Sequence, residues 1–239
     1  MVYVDGWRGR IGLITVAAGS ATEYEFNRYA PEGIAVLTTR VPLRDMSPEA
    51  LIEMADHVEE AAALLAGAEV DIIAFACTAG SLVKGAGYDR EIIERLQNRT
   101  GLPVTTTSTG VLEAFKALNV KKIVVTTPYK NAVNRAEKTY LEESGFTVLR
   151  LHGVESPEPR FVPQIFPEQM YRLTREAFME DAEAIFISCT GLHVDTIIDL
   201  LEDDFQRPVI TSNQATLWSA LRKIGVNEQI QGMGRLFRL

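Results

Sequence analysis

An internal repeat restricts the fold of this chain more than any other feature of its sequence. A short apolar segment ends in Cys77-Thr78, and a second apolar segment ends in Cys189-Thr190. These are the only two cysteines in the chain, and they lie roughly 110 residues apart, the spacing at which the surrounding segments also repeat. The repeat predicts two halves with the same fold.

Each half contains four short apolar segments separated by stretches in which apolar residues recur at helical spacing. The predicted strands are 10–17, 33–41, 71–77 and 101–108 in the first half, and 122–128, 146–151, 184–189 and 207–213 in the second. The predicted helices are 22–29, 47–65, 88–98, 109–118, 134–144, 168–180, 194–202 and 214–224. Nearly continuous apolar strands that alternate with helices are typical of parallel sheets covered on both faces. The sequence therefore predicts an α/β fold with two pseudo-symmetric domains, each a four-stranded parallel sheet flanked by helices.

The loops at the carboxyl ends of parallel strands form the ligand crevice in such folds. The loops that this rule selects are 17–22, 77–81, 127–131 and 189–193. If the two halves face each other about a pseudo-twofold axis, the side chains of Cys77 and Cys189 point into one cleft from opposite sides.

The two cysteines have two interpretations. A single cysteine at the end of an apolar strand is usually a small buried hydrophobic residue. Two cysteines in matched repeats, each followed by Thr, favour a paired catalytic site instead. A thiol at a strand end, beside the amides of a following helix, is expected to be favoured as the thiolate. Opposed thiols could then move a proton or add to an alkene from opposite faces.

Polar groups in the same loops are candidates for binding an anion. Thr78, Thr190 and Gly191 supply hydroxyls and backbone amides, which suit a carboxylate or an enediolate, although such residues are also common in turns and helix caps. Tyr129 could donate to the same anion or could be a packing aromatic. Ser20 lies in the corresponding loop of the first half, where ordinary helix capping is its alternative role.

Composition excludes several other classes of function. A net charge of −8 disfavours an electrostatic nucleic-acid binder. No apolar stretch is long enough for a membrane span, and the first residues do not resemble a signal peptide, so we expect a cytoplasmic protein with free thiols. The three histidines are scattered, there is no phosphate-binding or dinucleotide-binding motif, and we expect neither a metal nor an organic cofactor.

Five segments carry a resemblance to a known family: 76–81, 101–109, 127–134, 188–192 and 232–237. In these segments the chain resembles the aspartate/glutamate/hydantoin racemase superfamily, and within it the branch of maleate cis–trans isomerases and arylmalonate decarboxylases. The resemblance covers nearly the whole chain. The paired cysteines and the segment around Tyr129 are its most specific parts.

The resemblance implies a racemase-like fold with a cofactor-independent site between two domains. It implies a first domain of residues 1–115 plus 217–239, because the last helix returns to it, and a second domain of residues 116–216. It also implies that Cys77 acts as the thiolate that adds to the alkene, and that Cys189 handles the proton. In the decarboxylases the first cysteine position is glycine, so the presence of both cysteines favours isomerisation or racemisation. The implied substrate contacts are Ser20, Thr78, Ala79, Tyr129, Thr190 and Gly191.

The chain departs from the family pattern at two loops. The isomerases carry an asparagine in the loop after the first strand, where this chain has Gly19-Ser20-Ala21. They carry another after the sixth strand, where this chain has residues 153–156. Both asparagines bind a substrate carboxylate in the family, so their absence leaves room for a carboxylate other than maleate. Ala79 in turn replaces a hydroxyl residue of the decarboxylase anion pocket.

The resulting hypothesis is a cofactor-independent two-cysteine isomerase or racemase of a small carboxylate, with conversion of maleate to fumarate as the leading reaction. An arylmalonate-type decarboxylase and an amino-acid or hydantoin racemase are the enzymatic alternatives. A catalytically inactive module that binds an organic acid is the alternative outside enzymes. The expected partners are a small carboxylate substrate and a second copy of the chain in a homodimer, with neither nucleic acid nor membrane.

Overall fold

A computed structural model of the protein describes residues 5–156 and 158–239. Residues 1–4, which belong to the stretch compared with a signal peptide, lie outside this range. So does Pro157, the first residue of a proline-rich connector (157–167) that precedes the helix predicted over 168–180.

Two four-stranded parallel sheets form the framework, which confirms the predicted fold class. The first sheet consists of β1 (Gly9–Val16), β2 (Ile34–Val41), β3 (Ile72–Ala76) and β4 (Val104–Thr106). The second consists of β5 (Lys122–Thr127), β6 (Thr147–Gly153), β7 (Ala184–Ile187) and β8 (Val209–Thr211). Their spatial orders, β2-β1-β3-β4 and β6-β5-β7-β8, are the same, as the sequence repeat predicts.

The helices alternate with the strands in both halves. They are α1 (Ser20–Tyr29), α2 (Pro48–Ala55), α3 (Val58–Gly67), α4 (Thr78–Leu82), α5 (Tyr88–Thr100), α6 (Thr107–Ala117), α7 (Asn131–Glu143), α8 (Pro167–Ala177), α9 (Ile198–Phe205) and α10 (Ser212–Lys223). Short 3₁₀ helices occur at Pro159–Gln164, Asp195–Ile197 and Arg235–Arg238. Most predicted helices are present with ends displaced by one to three residues, because caps are set by local hydrogen bonds that periodicity does not report.

Two local features differ from the prediction. The single helix predicted over 47–65 is two helices. The backbone amides of Asp56 and His57 donate hydrogen bonds to the carbonyls of Glu53 and Met54, three residues earlier, and this turn ends α2 before α3 begins. The short helix α4 was expected to be a loop. The Ser81 hydroxyl stabilises it by donating a 2.8 Å hydrogen bond to the Cys77 carbonyl.

The two halves are joined by a shared core and by close packing of α6 against α10. One cluster of buried apolar side chains contains residues of both sheets. A Cβ atom on Gly110 of α6 would lie 2.7 Å from the Ala215 carbonyl oxygen of α10, so glycine permits this close approach. Helix α10 also packs on β3 and β4 of the first sheet, whereas the final segment places the Arg235 amide against Glu202 of α9. The domain boundaries at 115/116 and 216/217 remain a prediction.

Candidate active site

A cleft of about 420 Å³ opens where the carboxyl ends of the two sheets meet. Its lining comes from the loops that follow strands of both halves, as the strand-end rule predicts. Six of the eight predicted site residues line it: Cys77, Ala79, Tyr129, Cys189, Thr190 and Gly191. The structure therefore places both cysteines in one cavity, each contributed by a different half.

Cys77 occupies the N-cap position of α4 and is buried. The backbone amide of Gly80 donates a hydrogen bond to its sulfur and favours the thiolate, but burial has the larger effect and raises the thiol pKa to about 12. The nearby Cys189 raises the pKa further. A Cβ atom on Gly80 would lie 2.9 Å from the Cys77 sulfur, so only glycine leaves room for the thiol in this position.

Cys189 follows β7 and is half-buried, with part of its surface toward the cavity. Its backbone φ of 129° is in a region that residues with a side chain rarely adopt, and such strain is typical of functional sites. Its sulfur accepts hydrogen bonds from the Gly191 amide, at 3.4 Å, and from the Tyr129 hydroxyl. Burial nevertheless raises the thiol pKa to about 11.

The raised pKa values revise the expected state of the thiols. The sequence predicted that strand-end amides would favour a thiolate, and the glycine amides do act in that direction. Desolvation by the surrounding apolar residues outweighs them, so both cysteines of the free protein are neutral thiols at neutral pH.

Thr78 is buried and does not line the cavity. Its hydroxyl donates a 2.8 Å hydrogen bond to Ser212 Oγ, which also accepts a 2.9 Å bond from the Cys189 amide. Thr78 thus contacts the second half of the protein instead of the open part of the cleft. Ser212 was not predicted as a site residue, although it follows β8 at a strand end.

Ser20 does not line the cavity either, because it begins α1 on the exposed side of the loop. Its hydroxyl lies 3.5 Å from His193 Nε2. The neighbouring residues Ala18 and Gly19 line the cavity in its place.

The loop after Cys189 is held by residues of both halves. The Thr190 carbonyl accepts hydrogen bonds of 2.9 Å from Thr22 Oγ1 and 3.1 Å from Asn213 Nδ2. The buried carboxyl of Glu25 lies beside Asn213, and burial raises its pKa well above its usual range. These contacts fix the position of Thr190 relative to the first half.

Tyr129 is held by a second set of hydrogen bonds at the end of β5. Its amide donates to Thr127 Oγ1 at 3.1 Å, and its carbonyl accepts from Asn134 Nδ2 at 3.0 Å. The Thr127 hydroxyl in turn donates to Asn134 Oδ1 at 2.6 Å. Burial raises the pKa of Tyr129 well above its usual range, so its hydroxyl is a hydrogen-bond donor at neutral pH.

An apolar wall that the sequence did not predict also lines the cavity, and its Val162 lies next to Gly191. We define the wall as Leu43, Met46, Leu51, Pro159 and Val162. Leu43 and Met46 follow β2, and Pro159 and Val162 follow β6, so they occupy equivalent positions of the two halves. The strand-end rule, applied to these two strands as well, would have found them.

A buried acid lies next to the residue that precedes Cys189. Glu137 on α7 is fully buried, and its Oε1 accepts a hydrogen bond from the hydroxyl of Ser188, the residue before Cys189. Its Oε2 has no partner among the described residues. Burial raises the pKa of this carboxyl to about 7, and its charge raises the pKa of the Cys189 thiol.

Neither a metal-type cluster nor a membrane-spanning helix occurs in residues 5–156 and 158–239. No group of three or more His, Cys, Asp or Glu side chains is arranged to hold a metal ion. No helix in this range is long and apolar enough to cross a membrane.

Comparisons with known proteins agree with this geometry. A model of the arylmalonate decarboxylase family matches residues 11–237. The chain is 27% identical over 235 residues to arylmalonate decarboxylase of Bordetella bronchiseptica, a match covering 95% of each protein. It is 26% identical over 239 residues to maleate isomerase of Nocardia farcinica, covering 96% of this chain and 95% of that protein.

A solved structure extends the comparison to the fold. The chain resembles the crystal structure of a maleate isomerase variant from Pseudomonas putida S16 with maleate, with a TM-score of 0.93 and 24% identity. The match covers 96% of this chain and 97% of that chain.

Proposed function

The chain belongs to the arylmalonate decarboxylase family, and from this membership we propose that it is a cofactor-independent cysteine isomerase of a small carboxylate, with maleate cis–trans isomerisation as its leading reaction. The observation that carries the proposal is the presence of Cys77 and Cys189 in one cavity, contributed by equivalent positions of the two halves. Similarity to maleate isomerase over nearly the whole chain supports it.

Each thiol has a distinct role in the proposed reaction. Cys77 first loses its proton to solvent, and its sulfur then forms a bond to one alkene carbon while the π electrons move toward the carboxylate on the other carbon. Cys189 donates its proton to that second carbon and becomes the thiolate. Rotation follows about the carbon–carbon bond, which is now single. Cys189 then removes the proton, the carbon–sulfur bond breaks, and the trans alkene leaves with the Cys77 thiolate restored.

Neighbouring groups support this division of roles. The Gly80 amide stabilises negative charge on Cys77 during attack and release. The Tyr129 hydroxyl and the Gly191 amide do the same for Cys189 after it has given up its proton. Ala79 and Thr190 border the cavity, and we assign their main-chain amides as donors to the enediolate that forms after the sulfur adds and before Cys189 supplies its proton.

The finer assignments belong to the same proposal. We assign the catalytic role to Cys77 and Cys189, and substrate contacts to Ala79, Tyr129, Thr190 and Gly191. Thr78 supports the site through Ser212, and Ser20 lies beside His193 outside the cavity lining. The two domains comprise 1–115 plus 217–239 and 116–216. The protein acts in the cytoplasm on a small carboxylate, without nucleic acid or membrane, and forms a homodimer.

Conversion of maleate to fumarate, followed by proton NMR, tests the proposal. The unaltered protein should form fumarate, whereas Cys77→Ser and Cys189→Ser should each abolish its formation without loss of folded structure. Phenylmalonate in D2O provides the comparison with a decarboxylase, which would release a deuterated monocarboxylate. Decarboxylation without isomerisation of any alkene, or full isomerase activity in either serine variant, would overturn the two-thiol assignment.

A further inference from the structure

A buried carboxyl on α1 has no part in the proposed reaction. Glu25 is 1% exposed, and neither of its carboxyl oxygens has a partner at hydrogen-bond geometry among the described residues. It lies one helical turn after Thr22, whose hydroxyl donates to the Thr190 carbonyl, so it is on the face of α1 that meets the loop after Cys189. A buried polar group without a partner is costly, and its presence needs a physical explanation.

Glu25 faces both ends of this loop. At one end, Asn213 Nδ2 donates a 3.1 Å hydrogen bond to the Thr190 carbonyl, and the same side chain is the donor that faces the Glu25 carboxyl. At the other end, the donor that faces Glu25 is the main-chain amide of Val194. The carboxyl is therefore placed to orient residues 190 and 194 together.

The surroundings favour an uncharged carboxyl at this position. Burial raises the pKa of Glu25 well above its ordinary value, and the neighbouring acid Asp195 raises it further. Arg28, on the same helix, lies 3.3 Å from Asp195 Oδ2, which also accepts a 3.0 Å hydrogen bond from the Tyr29 hydroxyl. The nearby cation is thus paired with Asp195, which leaves Glu25 without an ion pair of its own among the described residues.

An uncharged carboxyl is compatible with the bonds that hold the loop. A carboxylate would compete with the Thr190 carbonyl for Asn213, because hydrogen bonds to an ionised acceptor are about twice as strong as neutral ones. A neutral carboxyl accepts from the same donors and leaves the bond to Thr190 in place. The loop then keeps the Gly191 amide at 3.4 Å from the Cys189 sulfur.

We propose that Glu25 is a positioning residue for Cys189. In its uncharged form it orients Asn213 and Val194, these hold the loop of residues 190–194, and the loop holds the Gly191 amide against the Cys189 sulfur. The inference rests on the proposed isomerase function, in which Cys189 supplies and removes a proton. It gives a role to a carboxyl that does not line the cavity.

Two substitutions of Glu25 test this role in catalysis. Glu25→Gln keeps the length and the acceptor of an uncharged carboxyl, whereas Glu25→Met keeps the length without the carboxyl. We expect kcat for maleate to stay within about threefold in the glutamine variant and to fall by about tenfold or more in the methionine variant. Proton NMR of fumarate formation measures both, and Glu25→Leu takes the place of the methionine variant if circular dichroism shows the latter to be unfolded.

A second measurement does not depend on the isomerase reaction. In a Cys77→Ser background, iodoacetamide alkylates Cys189 at a rate proportional to its thiolate fraction. At pH 9, below the thiol pKa of about 11, Glu25→Met should lower this rate by about threefold or more, because the Gly191 amide no longer stabilises the thiolate. Glu25→Gln should leave the rate unchanged. Mass spectrometry of the intact protein follows the alkylation.

Glu202→Gln is the matched control for the loss of another buried acid. Glu202 is 2% exposed and accepts hydrogen bonds from the main-chain amides of Val209 and Arg235, at the end of β8 opposite the cleft. The substitution should lower stability in urea and leave the alkylation rate of Cys189 within about twofold, because the two sites share no partner.

A double-mutant cycle tests whether Glu25 acts through Asn213. Asn213→Ala alone should slow the alkylation by about threefold or more, since it removes a hydrogen bond to the Thr190 carbonyl. Together with Glu25→Met it should slow the reaction by clearly less than the product of the separate effects, because both act on one loop. Effects that multiply in full would overturn the assigned route.

The outcomes separate this inference from the proposed function. An alkylation rate unchanged by Glu25→Met would overturn the inference, because Glu25 would then serve packing alone. A loss in Glu25→Gln as large as in Glu25→Met would also overturn it, because a charged carboxyl would then be required. If the unaltered protein does not isomerise maleate while the alkylation rates follow the expected order, the isomerase function fails and the positioning of Cys189 by Glu25 stands.

Discussion

The Thr78 hydroxyl donates a 2.8 Å hydrogen bond to the Ser212 hydroxyl, which joins the residue after one cysteine to the other half of the protein. Ser212 Oγ also accepts the Cys189 amide at 2.9 Å. One buried hydroxyl thus fixes the relative positions of the two Cys-Thr segments. This arrangement holds Cys189 in its strained backbone conformation.

Ser212→Ala should therefore weaken both stability and catalysis. The substitution leaves the Cys189 amide without its acceptor, and we expect a loss of about 1–3 kcal/mol in the free energy of unfolding together with a lower kcat. Thr78→Val is the matched control, because it removes the first hydrogen bond and leaves the second. Urea denaturation and isomerase assays measure the effects. An equal loss of kcat in the two variants would contradict a special role for the Cys189 contact.

The pH dependence of the reaction should reflect the buried state of Cys77. Its pKa of about 12 means that only a small fraction is thiolate near neutral pH. Since this fraction grows with pH and a carboxylate substrate is already ionised, kcat/KM should rise by about tenfold per pH unit between pH 7 and 9. Cys189 remains a thiol in this range because its pKa is about 11. A plateau below pH 8 would show that the reacting thiol ionises much more readily than its burial implies.

Gly80→Ala should impair the reaction by displacing the Cys77 thiol. A methyl group at this position would lie 2.9 Å from the sulfur and would also meet the Met54 side chain. Both the Cys77 thiol and the Met54 side chain are therefore too close to stay where they are. We expect kcat to fall by about tenfold or more, since small misplacements of reacting groups are costly. Gly67→Ala is the matched control, because no atom lies within 4 Å of the added methyl group. Equal activity of the two variants would argue against the Gly80 contact.

The sequence predicted the strands and the facing cysteines because both depend on patterns along the chain. Continuous apolar segments mark buried parallel strands, and the repeat places Cys77 and Cys189 at equivalent strand ends. The break between α2 and α3 was missed because the apolar spacing continues through it. Helix α4 was missed because it has only five residues and contains Gly and Ser, which are common in turns.

The parts of the candidate site that the sequence did not predict depend on contacts between distant segments. Ser212 is one hydroxyl among several at strand ends, and only the fold brings it to both Thr78 and Cys189. In the sequence, Met46 and Val162 are ordinary apolar residues of a loop and a proline-rich connector. Only the packing of the two sheets brings them to the same cavity. The raised thiol pKa values have the same origin, because the desolvation of a thiol depends on how completely other segments cover it.

Glu137, which was also not predicted, left a different kind of signal in the sequence. It lies on the buried face of α7 between Val133 and Tyr140, where helical spacing predicts an apolar side chain. An acid at such a position is costly when ionised, and its burial raises the pKa of the carboxyl from 4.5 to about 7. The folded protein therefore retains a proton on Glu137 over a pH range in which the unfolded chain has released it.

The sign of the resulting pH effect on stability follows from this raised pKa. The stabilisation is complete below about pH 4.5 and is lost as the pH rises through about 7, by an amount on the order of 3 kcal/mol. Glu137→Gln keeps an acceptor for Ser188 and cannot ionise, so its free energy of unfolding should vary less between pH 5 and 8 and should exceed that of the unaltered protein at pH 8. Urea denaturation across this range measures the difference, with Glu142→Gln, a change at a half-exposed position of the same helix, as the control. Parallel pH profiles for the unaltered protein and Glu137→Gln would show that Glu137 is already ionised in the folded state.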